Sequence, residues 1–213
     1  MAESVHIPVD LARWSAEFDL QGVGSLLIRA LTPEDRELER RFLEALSPET
    51  LRMRVLGTVK GLTEEQLERL VHFDWSRELA LGAIRPAADD FGLPAFAGAT
   101  GGDVDELIAV ARFAPAGRPG VAEFAIVVDD RYQGRGLGEE LIRRLRCAAA
   151  ALGYKTIEGQ TLATNERMLA LAARLGFSAG ADPEDSTLQR ISCPTQALRR
   201  RAPPPRTGTP VFR

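Results

Sequence analysis

The 213-residue sequence has no apolar run of about 18 residues, so it offers no membrane-spanning helix. Its first residues, Met-Ala-Glu-Ser-Val-His, lack the basic and apolar regions of a secretory signal, and the cytoplasm is the expected location. Its two cysteines, Cys147 and Cys193, are isolated, which argues against a disulfide framework, a zinc knuckle or a redox CxxC pair. No internal repeat is visible. Acid is absent from residues 199–213, which carry five arginines; without them the net charge of -3 becomes about -8 on residues 1–198. An acidic body repels phosphate backbones, so no nucleic-acid partner is expected, whereas cationic substrates would be attracted. With 45% hydrophobic and 27% charged residues, the chain has the composition of a folded soluble protein.

At roughly 150 residues per domain the length suits one domain with extensions. Residues 1–23 read as an N-terminal extension, 24–193 as the domain, and 194–213 as a disordered Arg/Pro-rich tail. Gly24 to Ala30 reads as the first strand. Thr32-Pro33-Glu34-Asp35 has the cap, the proline and the acids of a helix start, and Leu38, Phe42 and Leu46 supply its buried stripe. Ser47-Pro48-Glu49 starts a shorter helix and Thr63 another. A strand over 78–84 precedes a long loop at 87–105. Strands over 107–113 and 121–128 flank the turn Pro115–Gly120 and form a hairpin. A helix from about Gly136 to Leu152 keeps Leu137, Leu141, Leu145 and Ala148 on one face. A strand over 156–162, a helix over 165–175 closed by Gly176, and a strand over 187–192 follow. Alternating strands and helices with a hairpin imply an α/β or α+β fold with a mixed sheet.

Gln133-Gly134-Arg135-Gly136-Leu137-Gly138, between a strand and a helix, is the strongest chemical signal. Its glycines permit close approach of a ligand, and the helix N-terminus behind them offers free N–H groups to a phosphate. A Walker loop would need lysine here, and a dinucleotide fingerprint would need glycine where Glu139 stands.

Val127-Val128-Asp129-Asp130-Arg131-Tyr132 followed by this loop resembles the acyl-CoA pyrophosphate motif of the GNAT (general N-acetyltransferase) superfamily, Gln/Arg-x-x-Gly-x-Gly/Ala. Asn165 and Leu175-Gly176-Phe177 are similar to that superfamily's next landmark. The resemblance spans about residues 26–193. Within it, Leu46-Ser47-Pro48-Glu49, the helix Thr63 to His72, Asp74-x-x-Arg77-Glu78-x-Ala80-Leu81 and Asp182-Pro183-Glu184-Asp185 resemble bacterial protein lysine acetyltransferases that act on acyl-CoA synthetases. Members of that group with an added cyclic-nucleotide or synthetase-like domain are longer than this sequence.

The resemblance implies a mixed, mostly antiparallel sheet flanked by helices and splayed at the acyl-CoA site. It implies acetyl-CoA as donor and no metal. The pyrophosphate would lie on Gln133, Gly134, Arg135, Gly136, Leu137 and Gly138. The main chain of Ile126, Val127 and Val128 would pair with the pantetheine arm, and Asn165 would add a side-chain hydrogen bond. An acceptor lysine is an ammonium ion at neutral pH and needs a base. Glu123, the one charge on the stripe Val121, Ala125 and Val127, matches the position of the group's general base, which burial would tune toward neutrality. The plainer alternative is a solvated or Arg-paired glutamate. Where many members carry a tyrosine acid, this sequence has Ala172; Tyr132 reads as structural. His72, Cys147, Trp14 and Trp75 read as packing or surface residues. The expected activity is acetyl transfer to a lysine of a protein, an acyl-CoA synthetase for instance. The alternatives are acetylation of a small amine and acyl-CoA sensing without turnover.

Overall fold

A computed structural model describes residues 11–55, 68, 70–72, 74–87 and 104–195. The helix expected from Thr63 falls largely outside the described residues, as do positions 88–103 of the long loop and the Arg/Pro tail from 196 on. Eight strands form one sheet in the order β1-β2-β3-β4-β5-β6-β8-β7. They are β1 (Ala16–Leu20), β2 (Gly24–Ala30), β3 (Leu79–Arg85), β4 (Glu106–Pro115), β5 (Val121–Val128), β6 (Thr156–Leu162), β7 (Ser178–Ala181) and β8 (Leu188–Pro194). Every pairing is antiparallel except that of β5 with β6. This is the mixed, mostly antiparallel sheet that the resemblance implies, with β1 and β7 added at its two ends. Four residues of β7 are exposed and β1 buries only Leu20 fully, so neither edge strand carries a clear apolar alternation.

Helices cover both faces. On one face, α1 (Arg36–Ala45) brings Leu38, Phe42 and Leu43 against Leu31, Ala80, Val110 and Val127. Thr32 and Pro33 start a short 3-10 turn, and α1 follows from Arg36. The carboxylate of Asp35 pairs with Arg29 at 2.6 Å and accepts the Thr32 N–H at 2.8 Å. Burial pushes that carboxyl up, but these partners outweigh it and hold it below its usual range. A second tie is buried more deeply. Arg112 of β4 pairs with Glu39 of α1, which is 1% exposed, and donates to the Leu70 carbonyl at 3.0 Å. Removing one member of such a pair strands the other charge.

On the opposite face, α3 (Leu137–Ala151) buries Leu137, Leu141, Ile142, Leu145, Ala148 and Ala149, and α4 (Glu166–Arg174) buries Ala172. The strand-helix-strand connection β5-α3-β6 accounts for the single parallel pairing. That ladder is short: Val121↔Thr156, Ala122↔Ile157 and Glu123↔Glu158. From Phe124 onward β5 continues to pair with β4, through Ala109↔Val128, while its other edge has no strand partner. Gly159 sits where the strands separate, and a Cβ there would lie 2.9 Å from the Phe124 carbonyl oxygen and 3.0 Å from its ring.

Gly159→Val should therefore wedge β5 against β6 and lower stability by about 1–3 kcal/mol. Urea unfolding of the two proteins checks this; an unchanged midpoint would show that the strands absorb the extra bulk.

Candidate active site

A cleft of about 990 Å³ opens between the separating strands. The β5 wall contributes Ile126, Val127 and Val128, the glycine loop Gln133, Gly134, Gly136 and Gly138, and the start of α4 Asn165. The loop follows a 3-10 turn at Asp130–Tyr132, capped by the Asp129 carboxylate through Arg131 N–H. Gly134 and Gly136 have φ of 75° and 87°, a left-handed backbone that side-chain-bearing residues adopt at a penalty. Nothing lies within 4 Å of where a Cβ would stand on either glycine. Gly136 caps α3 without a side chain. The first intrahelical bond there is Glu140 N–H to the Gly136 carbonyl, at 3.1 Å, which leaves the amides of Leu137, Gly138 and Glu139 without an acceptor in the helix. This open, uncapped helix start suits a pyrophosphate.

A chain of polar contacts braces the loop from both sides. The helix α2 (Pro48–Val55) lines the cleft with Glu49, Thr50 and Met53. Asp130 accepts the Thr50 hydroxyl at 2.7 Å and the Ser47 N–H at 3.2 Å. Burial pushes the Asp130 carboxyl up, yet Thr50 and Ser47 hold it below its usual range, so the brace is ionised at neutral pH. Gln133 donates to the Val128 carbonyl at 3.0 Å and to Thr50 Oγ1 at 3.3 Å, and its Oε1 accepts Arg167 at 2.9 Å. Asn165 accepts the Met168 N–H at 3.1 Å, capping α4. That leaves its amide nitrogen for the cleft.

The remaining candidates lie differently. Leu137 is 1% exposed, within the core, so only its amide can face a ligand. Arg135 turns away and donates to the Gln21 carbonyl at 3.2 Å. Glu123 is exposed rather than buried, which departs from the expectation of a desolvated base. It lines a second, smaller cavity of about 260 Å³ with Leu70, Glu78, Arg112 and Ala114, and this cavity shares Phe124 and Ala125 with the large cleft. Arg167 and Arg174, two cations of α4 at the cleft, went unremarked in the sequence because isolated arginines on a helix resemble any solvated face. Trp14 and Trp75 are buried, as expected. His72 is exposed beside Glu68, and Cys147 is half-buried, its thiol pushed up by burial. Among the described residues no group of His, Cys, Asp and Glu is disposed to hold a metal ion, and no helix is long and apolar enough to cross a membrane.

A sequence model of the acetyltransferase (GNAT) family matches residues 61–177. The chain belongs to this family. The acetyltransferase is 34% identical over 162 residues to a Pseudomonas aeruginosa protein named Acetyltransferase PA5475, covering 76% of this chain and 80% of that one. Its fold is similar to the GNAT domain of S. lividans PAT, with a TM-score of 0.71, 24% identity and coverage of 86% and 98% of the two chains. It is also similar to a cAMP-binding acyltransferase from Mycobacterium smegmatis, with a TM-score of 0.55 and 24% identity over 92% of this chain and 52% of that one. The family uses acetyl-CoA as acyl donor, and the cleft has the open glycine turn and the unpaired strand edge that such a donor requires.

Gly136→Asp would place bulk and negative charge against the uncapped amides. Acetyl-CoA affinity should fall at least about tenfold, roughly 1.4 kcal/mol, by calorimetric titration; equal affinity would contradict the placement of the pyrophosphate.

Proposed function

We propose that this N-acetyltransferase transfers acetyl from acetyl-CoA to a lysine side chain of a protein, with Glu123 as general base. The observation that carries the reading is the position of Glu123. It stands in the last paired row of β5 and β6, opposite Glu158, and its cavity meets the donor cleft at Phe124 and Ala125. Glu158 is paired with Arg118, whereas among the described residues the Glu123 carboxylate makes no hydrogen bond or ion pair, which leaves it available to accept a proton. The likeness of Asp74-x-x-Arg77-Glu78-x-Ala80-Leu81 and Asp182–Asp185 to protein lysine acetyltransferases supports a protein acceptor, an acyl-CoA synthetase being one candidate.

In this mechanism the glycine loop, the open edge of Ile126–Val128 and Asn165 hold the donor, which supplies a thioester-activated acetyl group. Glu123, directly or through a water, takes a proton from the acceptor ammonium. The nitrogen lone pair then forms the N–C bond as the C–S bond breaks; the electron pair leaves with sulfur as thiolate, and the second N–H proton passes from the nascent amide to water or to that thiolate. Only two lysines, Lys60 and Lys155, are present in the chain, so the acetylated lysine is sought on another protein.

Glu123→Gln should retain acetyl-CoA binding and lose about 10²–10⁴-fold in turnover. The assay uses radiolabelled acetyl-CoA with a bacterial lysate, separated into protein and small-molecule fractions. Label in discrete protein bands that disappears with Glu123→Gln is the expected result. Label confined to small molecules would replace the protein acceptor with a small amine, and binding without transfer would leave an acyl-CoA sensor.

A further inference from the structure

The cavity beside Glu123 holds a second carboxylate, Glu78, and its place in the sheet follows from strand register. Leu79 pairs with Phe113 and Phe113 with Phe124, while Ala114 pairs with Glu123. Glu78, one residue before Leu79, therefore comes level with Ala114. Glu78, Ala114 and Glu123 thus form one row across three strands, on one face of the sheet. The two glutamates are separated by two inter-strand spacings, about 9.5 Å between backbones. Between them Ala114 projects only a methyl, and Ala80 and Ala125 also line the cavity, so its floor is shallow and the space above it is open.

Charge sets what this space can take. Arg112, the cation lining the cavity, is committed to Glu39 and to the Leu70 carbonyl. Glu158, next in the row beyond Glu123, is committed to Arg118. Among the described residues the side chains of Glu78 and Glu123 have neither a hydrogen bond nor an ion pair, so two carboxyl groups without a bonded cation face one cavity. Burial pushes the Glu78 carboxyl up, with repulsion from Asp74 adding to it and Arg77 opposing it.

The backbone holds Glu78 in place. Its N–H donates to the Asp74 carbonyl at 2.7 Å, as does that of Arg77 at 2.9 Å. The Asp74 carboxylate accepts the Ser76 N–H at 2.9 Å. Tyr154 donates its hydroxyl to the Arg77 carbonyl at 2.9 Å, and its ring packs edge-on against Phe113. This turn presents the Glu78 carboxylate to the cavity from a fixed position.

We infer that Glu78 is the specificity residue of the acceptor pocket, receiving the ammonium group of a cationic side chain opposite Glu123. The assignment rests on the proposed transfer to lysine and deepens it. Glu78 selects the charged acceptor and holds it; Glu123 takes its proton. Stabilising an ammonium helps binding and does nothing to make the amine more nucleophilic, so the two glutamates separate in kinetics. Removal of Glu78 acts on KM and removal of Glu123 on kcat.

The test compares wild-type protein, Glu78→Gln and Glu78→Asp with two acceptors at fixed acetyl-CoA. One acceptor is a short lysine-containing peptide, and the other is an arylamine that is neutral at pH 7. In Glu78→Gln, KM for the peptide should rise about tenfold and kcat should change less than KM. KM for the arylamine should stay within about twofold, and Glu78→Asp should recover part of the peptide affinity. Calorimetric acetyl-CoA binding by each variant reports that the fold stands. A wild-type protein that acetylates the peptide, with Glu78→Gln equal to it in peptide KM or deficient in kcat alone, overturns the role of Glu78 and leaves the lysine reading intact. A wild-type protein that transfers nothing to the peptide overturns the lysine reading and this inference with it.

Discussion

The parting of β5 from β6 after three paired residues governs the chemistry of this fold. A parallel pair joined by a helix ordinarily hydrogen-bonds along its length. Here Phe124 and Gly159 meet at the limit of the ladder, and β5 continues alone on that side to Val128. Backbone N–H and C=O groups need partners. The open edge of β5 can acquire them from an extended ligand carrying amides, which joins the sheet as an added strand. The same divergence aims the end of β5 at the glycine turn and the start of α3. One ligand can then span from the strand edge to the helix N-terminus.

Two polar assemblies keep the walls of that gap in position. Asp130, Thr50, Gln133 and Arg167 link α2, the glycine loop and α4 through consecutive hydrogen bonds. Gln133 thus braces the loop, with its side-chain amide spent on Val128, Thr50 and Arg167, and the proposed pyrophosphate would be met by main-chain donors. At the smaller cavity the buried pair of Glu39 and Arg112 fixes α1 to β4 and reaches Leu70 at the wall. Because Arg112 is committed to Glu39, that pair shapes the cavity without adding a free cation beside Glu78 and Glu123.

The glycine loop, α3, β5, β6 and α4 were legible in the sequence because their signals are local. A glycine run before an amphipathic helix, alternating strands and an asparagine cap each act within a few residues. The edge strands β1 and β7 were not, since strands exposed along much of their length carry little alternation. Motif spacing names the loop's main-chain amides but not where its side chains go: Arg135 turns to Gln21 and Leu137 enters the core. Glu78 illustrates the deeper limit. It lies 45 positions from Glu123 in the chain, and only the registers of β3 on β4 and β4 on β5 bring the two level. Its sequence neighbours, Asp74 and Arg77, announce a turn and not a cavity.

In the proposed transfer the departing thiolate is the remaining electrostatic demand on the site. The position from which a tyrosine would serve in many relatives of this fold is Ala172, which is 1% exposed and packed in the core. The chain has two tyrosines, and each has its hydroxyl engaged. Tyr154 donates to Arg77, and Tyr132 to Glu106 at 3.3 Å. Burial and Glu106 both push the Tyr132 phenol up, which makes it a poorer acid. An ordinary thiol has a pKa of about 8.5, far below that of an alkoxide-forming alcohol, so sulfur can leave as an anion and take its proton from water. The amine has no comparable escape, because it cannot attack until its proton is gone. In the proposed transfer the carboxylates of Glu78 and Glu123 accordingly lie on the acceptor side of Phe124 and Ala125, while the donor side would rely on main-chain amides and the arginines of α4.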